Sequence, residues 1–532
     1  MLSSRSARPT TVSGREARLF LGHGSMPFEV VVLEDGDRKP NLSELRDAFR
    51  DRAGRRPAPV LVVWPWGEEK CAVYGPNEHN PVEFRSLPLP EVEAVCEIVL
   101  GARDRHHGIR TLHQLLPQLD SRIPGLRNGG LLAMQELEHG VPARGDWTPA
   151  LKKGKPVRRQ RGRSLIQGLG FETEDLPGPG MILYAGGSKR AVAVLLDRHD
   201  EIDVSADRFD GTSPVSFAVS IAARENLEYV VIAADSSLRL YPAKSGVGVG
   251  QRGQSETYIE LNLDLLPEEQ AAYLWLLFSA EALESGGSFE EILSRSEDYA
   301  ADLSGRLREK VYLEVVPRVA RAVFEALGIE DPVEDDLTLA YDVALRVLFR
   351  TLFVAYAEDR DLLPLHSSRS YREHSLKRMA QRLAEARASD LEWSDEPHLW
   401  NELRQLWRAV DRGNPEWRVP AYNGGLFSSD PEVAESGAIL EKISVPDSRL
   451  APALASLLLD ETDEGVEGPV DFRSLGVREF GTMYEGLLES ELAVAETDLR
   501  ERGKKKELVP AEEGQDVDIR EGEVYLHNRS GA

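Results

Sequence analysis

The sequence predicts a mixed fold, with one or two small α/β domains followed by a mostly helical domain. Short β-branched runs bounded by proline and glycine alternate with amphipathic segments in the first half of the chain. Long helical periodicities dominate the second half. The length of 532 residues exceeds the roughly 250 to 300 residues that one hydrophobic core fills, so several domains are expected.

The first α/β domain is expected over residues 1–100. The segments PFEVVVLE and PVLVVWPW are typical of strands, and NLSELRDAFRDRAG between them has the apolar period of a helix. Asn41 and Ser43 are candidate caps for its start, and Gly54 is expected to end it. Residues 101–150 are predicted to form a helical connection.

A second, nuclease-like α/β domain is expected over residues 151–263. GMILYAG and RAVAVLLD predict two strands, SPVSFAVSIAARENL predicts a helix, and EYVVIAADSSLRLYP predicts a hairpin. The first domain ends in a similar hairpin, PVLVVWPWGEEKCAVYGP, which indicates a degenerate internal duplication. Residues 264–500 are predicted to form a helical scaffold domain, and residues 501–532 a charged linker or a hairpin tip.

The composition limits the partners and the compartment. Acidic residues outnumber basic ones, 90 against 64, so the whole molecule is not expected to attract nucleic acid or an anionic membrane nonspecifically. The most apolar stretch, LAYDVALRVLFRTLFVAYAEDRDLLP, contains Arg346 and Arg350 and predicts a buried helix rather than a membrane span. Cys71 and Cys96 are too few for a disulfide framework or a zinc cluster, and no leader precedes them, which predicts a cytoplasmic protein.

Any DNA contact must therefore come from a local basic surface. The segment KKGKPVRRQRGR, residues 152–163, is the candidate because it contains no acidic residue. It is either a solvated linker or a stretch that contacts phosphates. The second interpretation assigns DNA binding to seven side chains: Lys152, Lys153, Lys155, Arg158, Arg159, Arg161 and Arg163.

The segment AVAVLLDRHDEID resembles the end of a core strand in PD-(D/E)xK nucleases. In those enzymes a carboxylate holds a metal ion, and a lysine two residues later helps to orient the attacking water. Asp197 and His199 have that spacing and are the candidate catalytic residues of a Mg²⁺-dependent nuclease. Histidine stands in place of the lysine, however, and the preceding strand contains no aspartate. The alternatives are a solvated strand end and a nuclease-like fold that has lost or altered its chemistry.

Four strings occur in this order in the second half of the chain: LFRTLFVAYAEDRDLLP (348–364), VPAYNGGLF (419–427), LGVREFGTMYEGLLESEL (475–492) and GEVYLHNRSG (522–531). Together they resemble the region that precedes the catalytic domain in large adenine-specific DNA methyltransferases. That family includes type IIG restriction-modification enzymes and the methylases of the BREX and DISARM anti-phage systems.

The resemblance implies S-adenosylmethionine as methyl donor and double-stranded DNA with a flipped adenine as substrate of the intact enzyme. In the family the last string is followed by the methyltransferase core. The present chain lacks that core's cofactor and catalytic loops, so we expect it to bind no cofactor and to transfer no methyl group alone. The expected partners are double-stranded DNA, a methyltransferase domain or subunit, and other defence-system proteins, without a membrane. An active metal-dependent endonuclease and a non-enzymatic adaptor subunit stay as alternatives.

Overall fold

The computed structural model describes most of the chain, in two compact units, Met1–Tyr299 and Ala300–Ala532. Within the ranges given below, the structure contains no helix that is long and apolar enough to cross a membrane. The described residues are 6–23, 27–34, 38–55, 58–67, 69–77, 81–102, 104–120, 123–197, 200–249, 253, 255–329, 332–365, 368–461, 467–502, 507–512, 515 and 517–528.

The first unit opens with a sheet of six strands that follow one another in chain order. The strands are β1 (Arg8–Val12), β2 (Arg15–Leu21), β3 (Glu29–Leu33), β4 (Val60–Trp66), β5 (Lys70–Gly75) and β6 (Val82–Pro88). Three antiparallel strands precede a helical crossover, and three more antiparallel strands follow it, so the central pair is parallel. The crossover is α1 (Leu42–Ala53), and the Asn41 side chain accepts a hydrogen bond from the Glu44 amide at its start.

Alternating residues of the central strands face two different helical layers. Val31 and Val62 pack with α1, whereas Val30 and Leu61 pack on the opposite face against α2 (Leu89–Leu100) and α3 (Arg105–Leu115). The strand period of two thus produces a helix–sheet–helix sandwich.

The second sheet of this unit has seven strands and repeats the topology of the first. Its elements are β7 (Leu126–Asn128), α4 (Trp147–Val157), α5 (Gly162–Gly168), β8 (Glu172–Asp175), β9 (Gly180–Ala185), β10 (Ser188–Leu196), α6 (Pro214–Glu225), β11 (Tyr229–Ala234), β12 (Ser237–Pro242) and β13 (Ile259–Asn262). Three antiparallel strands again precede a crossover helix, α6, and three follow it, and the central pair is again parallel. The two sheets thus share one topology, with β7 added at one edge of the second, and the duplication stays a prediction.

Helices beyond residue 263 complete the core of the second sheet. Leu183 and Val231 pack on one face with side chains of α4, α5, α7 (Ala272–Phe278), α8 (Ala280–Leu283) and the first turns of α9 (Ser288–Lys310). The division between the units therefore falls within α9, whereas the sequence placed the start of the helical domain at residue 264.

The second unit is mostly helical and is built around α11 (Glu334–Asp359). Its other helices are α10 (Val316–Leu327), α12 (Arg369–His374), α13 (Leu376–Ala388), α14 (His398–Arg412), α15 (Glu435–Lys442), α16 (Asp447–Leu458) and α17 (Val477–Leu488). Helix α11 contacts α10, α13 and α15. Leu348, Leu352 and Ala355 of α11 are buried, as their helical spacing predicts, whereas Tyr356 is half-buried.

Three small antiparallel strand pairs interrupt or follow these helices. The pairs are β14 (Leu459–Glu461) with β15 (Glu467–Pro469), β16 (Ser490–Val494) with β19 (Val524–Asn528), and β17 (Leu499–Arg502) with β18 (Glu507–Pro510). The strand predicted near the end of the chain is present as β19, while the charged segment before it contains a hairpin. Strand β16 also contacts α11.

Candidate functional site

The carboxyl ends of the parallel strands β10 and β11 lie next to each other in the second sheet. Open α/β sheets usually bind ligands beside the carboxyl ends of their strands. Asp197 directly follows β10, and its side chain is 75% exposed and paired with the Arg208 guanidinium. Arg208 also lies 2.6 Å from a carboxylate oxygen of Asp200, which accepts a hydrogen bond from the Asp197 amide. Two carboxylates thus share one arginine. His199, the other candidate catalytic residue, lies outside the described residues.

A second polar cluster lies on the neighbouring strands β12 and β13. Arg239 donates to Glu260 at 2.7 Å and to the Tyr241 hydroxyl at 3.2 Å, and its guanidinium lies 4.6 Å from the centre of the Tyr258 ring. Burial alone would lower the pKa of Arg239, but the Glu260 carboxylate and the neighbouring Tyr241 and Tyr258 together outweigh burial, and the pKa is raised. The cluster is therefore a satisfied buried ion pair.

A divalent cation bound by Asp197 and Asp200 would have to displace Arg208. Among the residues that the structure describes, no group of three or more histidine, cysteine, aspartate or glutamate side chains is arranged to hold a metal ion. Arg208, Arg239 and Glu260 were absent from the sequence-based candidates, because each lies on a different element and no short motif connects them.

The basic segment 152–163 forms the end of α4, a turn and the start of α5, rather than a free linker. Gly154 allows this packing, because a Cβ atom there would lie 2.1 Å from the Ala271 carbonyl oxygen. Six of the seven cations contact acceptors within the first unit. The pairs are Lys153 with Glu281, Lys155 and Arg159 with Glu268, Arg161 with Asp264, Arg163 with Asp175, and Arg158 with the carbonyl oxygens of Leu263 and Leu266.

These pairs leave the basic segment with a positive excess, because four carboxylates of the described part of the chain face seven cations. The ion pairs are exposed; the Arg159 side chain, for example, is 77% accessible and lies 3.6 Å from Glu268. Exposed pairs of this kind contribute at most about 1 kcal/mol each. A phosphate group could therefore replace the carboxylates at low cost, and DNA binding by the segment stays a prediction.

In the second unit, two buried carboxylates at the end of α11, Glu358 and Asp359, meet the half-buried Lys377 of α13, and we call these three residues the clasp. Glu358 is 1% exposed and accepts hydrogen bonds from the Tyr371 hydroxyl at 2.7 Å and from the amides of Leu376 and Lys377 at 2.8 and 2.9 Å. These two amides belong to the first turn of α13. Glu358 therefore satisfies helix donors that would otherwise lack partners.

Asp359 connects the clasp to the segment that precedes α17. Its carboxylate accepts two hydrogen bonds from the Lys377 ammonium group, at 2.8 and 3.1 Å, and one from the Phe472 amide at 2.8 Å. The Lys377 ammonium group also donates to the Val470 carbonyl oxygen at 3.0 Å. Burial opposes the charge on Lys377, but the carboxylates of Asp359, Asp471 and Glu358 together outweigh burial and raise the pKa of the ammonium group.

The space beside the clasp is too small for a substrate. The cavity lined by Ala355, Glu358, Asp359 and Lys377 has a volume of ≈ 10 Å³. That volume accommodates about one water molecule. The clasp is consequently a structural group, and its charged residues are assigned no catalytic role.

Two arginines on α11 hold the loop that contains YNGG, residues 422–425, which we call the YNGG loop. Arg346 donates to the carbonyl oxygens of Gly425 and Leu426 at 3.2 and 2.9 Å, and Arg350 donates to those of Leu426 and Ser428 at 2.8 and 2.9 Å. Burial lowers the pKa of Arg350 to about 10. These contacts explain why the longest apolar stretch of the sequence contains two arginines: backbone carbonyls replace water around their guanidinium groups.

Aromatic contacts join three of the four family-like strings on α11. Phe349 packs against Tyr484 of α17, with ring centroids 5.2 Å apart, and Phe353 packs against Tyr422 and Phe427 at 6.0 and 5.3 Å. A further pair, at 5.4 Å, joins Tyr356 of α11 to Phe480 of α17. The fourth string supplies β19, which pairs with β16 next to α11. Segments far apart in sequence thus form one packing unit.

Comparisons with protein-family models, with curated proteins and with solved structures find no match to this chain.

The clasp generates a prediction about pH. Burial raises the pKa of Glu358 from 4.5 to about 7, although its hydrogen bonds act in the opposite direction. Between these values the folded protein binds more protons than the unfolded protein, so the free energy of unfolding should fall as pH rises from about 4.5 to 7 and level off above that. The Glu358 contribution to this fall should be at most about 3 kcal/mol.

Urea unfolding at a series of pH values gives the free energy of unfolding of the native protein and of Glu358→Gln, which cannot ionise. The difference between the two pH dependences measures the contribution of Glu358. The variant should show a smaller decrease in stability between pH 5 and 7. Glu485→Gln, at an exposed position, is the matched control and should behave like the native protein. An identical pH dependence in native protein and Glu358→Gln would show that Glu358 does not titrate in this range.

Proposed function

We propose that this chain is the N-terminal part, or a subunit, of an adenine-N6 DNA methyltransferase in a restriction-modification or anti-phage system. The observation that supports the proposal is the packing of the four family-like strings in one unit around α11. Four unrelated chance similarities, spread over residues 348–531, would have no reason to lie within one packing unit. If the four strings share a structural role, they are expected to pack together in this way.

In the proposed assembly this chain supplies a scaffold and DNA contacts, and the catalytic part supplies the S-adenosylmethionine site. The basic segment 152–163 is the proposed DNA contact, because its exposed cations exceed the carboxylates that face them. The second α/β domain is proposed to derive from a nuclease, with Asp197 at the carboxyl end of a central strand. Its pairing with Arg208 favours a domain without metal-dependent cleavage.

The proposed function is tested by sequencing the locus that encodes the chain. The proposal expects a coding stretch, continuous with Ala532 or adjacent to it, that encodes a glycine-rich cofactor loop and an Asn-Pro-Pro-Tyr catalytic loop. The whole assembly should then methylate adenine in double-stranded DNA, whereas this chain alone should not. A locus without such a stretch would remove the methyltransferase proposal.

A non-enzymatic adaptor of a defence complex is the second candidate. It is favoured by the ion pairs within the basic segment, which leave less positive charge for DNA than the sequence suggests. The two candidates differ in their affinity for DNA when the catalytic part is present.

Charge reversal separates these candidates. If the basic segment binds phosphates, the triple variant Lys152→Glu, Lys155→Glu and Arg159→Glu should bind double-stranded DNA more weakly than the native protein. Each phosphate that the variant no longer neutralises should reduce the slope of log K against log salt concentration by about 0.9. Fluorescence anisotropy over a series of salt concentrations, with the catalytic part present, measures both quantities.

The matched control carries the same change of charge on exposed cations elsewhere in the first unit, namely Arg105→Glu, Arg224→Glu and Lys244→Glu. Its salt slope should equal that of the native protein. Equal weakening by both variants would indicate a general charge effect and contradict the assignment to residues 152–163. A native protein without DNA affinity at low salt would support the adaptor.

A further inference from the structure

One face of α11 carries aromatic side chains that are only half-buried. Phe349, Phe353 and Tyr356 are spaced four and three residues apart, so they lie along the same side of the helix. They span about 10 Å along the helix axis. We call these three, together with their partners on α17 and the YNGG loop, the aromatic strip: Phe349, Phe353, Tyr356, Tyr422, Phe427, Phe480 and Tyr484.

Large exposed apolar side chains extend the aromatic strip at both ends. Leu488 lies one helical turn beyond Tyr484 on α17, and their exposed fractions are 51% and 47%. At the other end, Tyr422 is 37% exposed and donates to the carbonyl oxygen of Leu362, which is 55% exposed. Contiguous apolar surface of this kind marks interaction sites, whereas single exposed side chains do not.

The YNGG loop beside the aromatic strip is held in place by hydrogen bonds, and two of its residues, Gly424 and Gly425, have no side chain. The amides of Tyr422 and Asn423 donate to carbonyl oxygens of α14 at 2.9 and 3.1 Å, and Arg346 holds Gly425. Cβ atoms at Gly424 and Gly425 would meet no atom within 4 Å, and neither residue has a left-handed φ. The chain's own packing therefore does not require glycine here, whereas close approach of another backbone would.

The charges around the strip favour a cationic partner. Glu485 and Glu489 are exposed and flank Tyr484 and Leu488, and we call these two glutamates the acidic rim. Asp361 is not counted with them, because it is paired with Arg473 at 3.3 Å. The string 475–492 contains four glutamates and one arginine. A polyanion such as DNA would be repelled by this rim, and a protein segment with lysine or arginine would be attracted.

We propose that the aromatic strip docks a segment of another protein that combines aliphatic side chains with lysine or arginine. The aliphatic groups contact the rings between Tyr484 and Tyr422, the cations face the acidic rim, and the segment's backbone passes over Gly424 and Gly425. This inference does not depend on the proposed function, because it follows from exposure and charge alone.

A short peptide of alternating leucine and lysine, with one photoreactive leucine analogue, tests the proposal on the intact chain. A matched leucine–glutamate peptide is the comparison. The leucine–lysine peptide should bind more tightly, and its cross-links should map to residues 419–427 and 475–492. The variant Tyr484→Ala with Leu488→Ala should weaken its binding by at least about tenfold. Leu391→Ala, which removes a 63% exposed leucine elsewhere in the second unit, should leave it unchanged.

A second variant tests the acidic rim without truncating the apolar surface. Glu485→Lys with Glu489→Lys should weaken the leucine–lysine peptide and strengthen the leucine–glutamate peptide. Equal binding of both peptides to the native protein, or cross-links outside the two segments, would overturn the proposal. So would displacement of the bound peptide from these segments by a mixed-sequence oligonucleotide, which would assign the strip to nucleic acid. Self-association of the native chain that Leu488→Ala abolishes, without an effect on peptide binding, would assign the strip to a second copy.

Discussion

The second unit depends on burying the charges of the clasp. Glu358 and Asp359 are buried and the Lys377 side chain is 30% exposed, so the two carboxylates would be costly without their partners. Those partners are the first turn of α13 and the backbone at Val470 and Phe472, so both must lie against the end of α11. The clasp thereby fixes the segment that leads into α17.

The same helix organises the surface of this unit. Arg346 and Arg350 fix the YNGG loop against α11, and α17 packs beside the loop through Tyr484 and Phe480. Buried polar contacts thus determine where the exposed aromatic rings lie. The family-like strings contain both the arginines that make the polar contacts and the aromatic residues. The polar contacts position the backbone and the aromatic residues present the apolar surface, which gives a physical reason for the strings to occur together.

The sequence predicted elements whose signals are local. The strands around α1 and α6, the capping at Asn41 and the late strand β19 follow from periodicity and turn residues within a few positions. The contacts that determine the sites are distant: Asp359 meets Phe472 across 113 positions, and Arg161 meets Asp264 across 103. No local pattern encodes such pairs. The basic segment illustrates the consequence, because its charges are visible in the sequence and their carboxylate partners are not.

The clasp should position both α13 and the segment leading to α17. Hydrogen exchange of the native protein and of Lys377→Met tests it, because the variant leaves the Asp359 carboxylate buried without its cation, at a cost of about 3 to 5 kcal/mol. In the variant, faster exchange is expected in α13, in residues 470–475 and also in α17, with little change in the first unit. Faster exchange confined to the first turn of α13, with α17 unchanged, would contradict it.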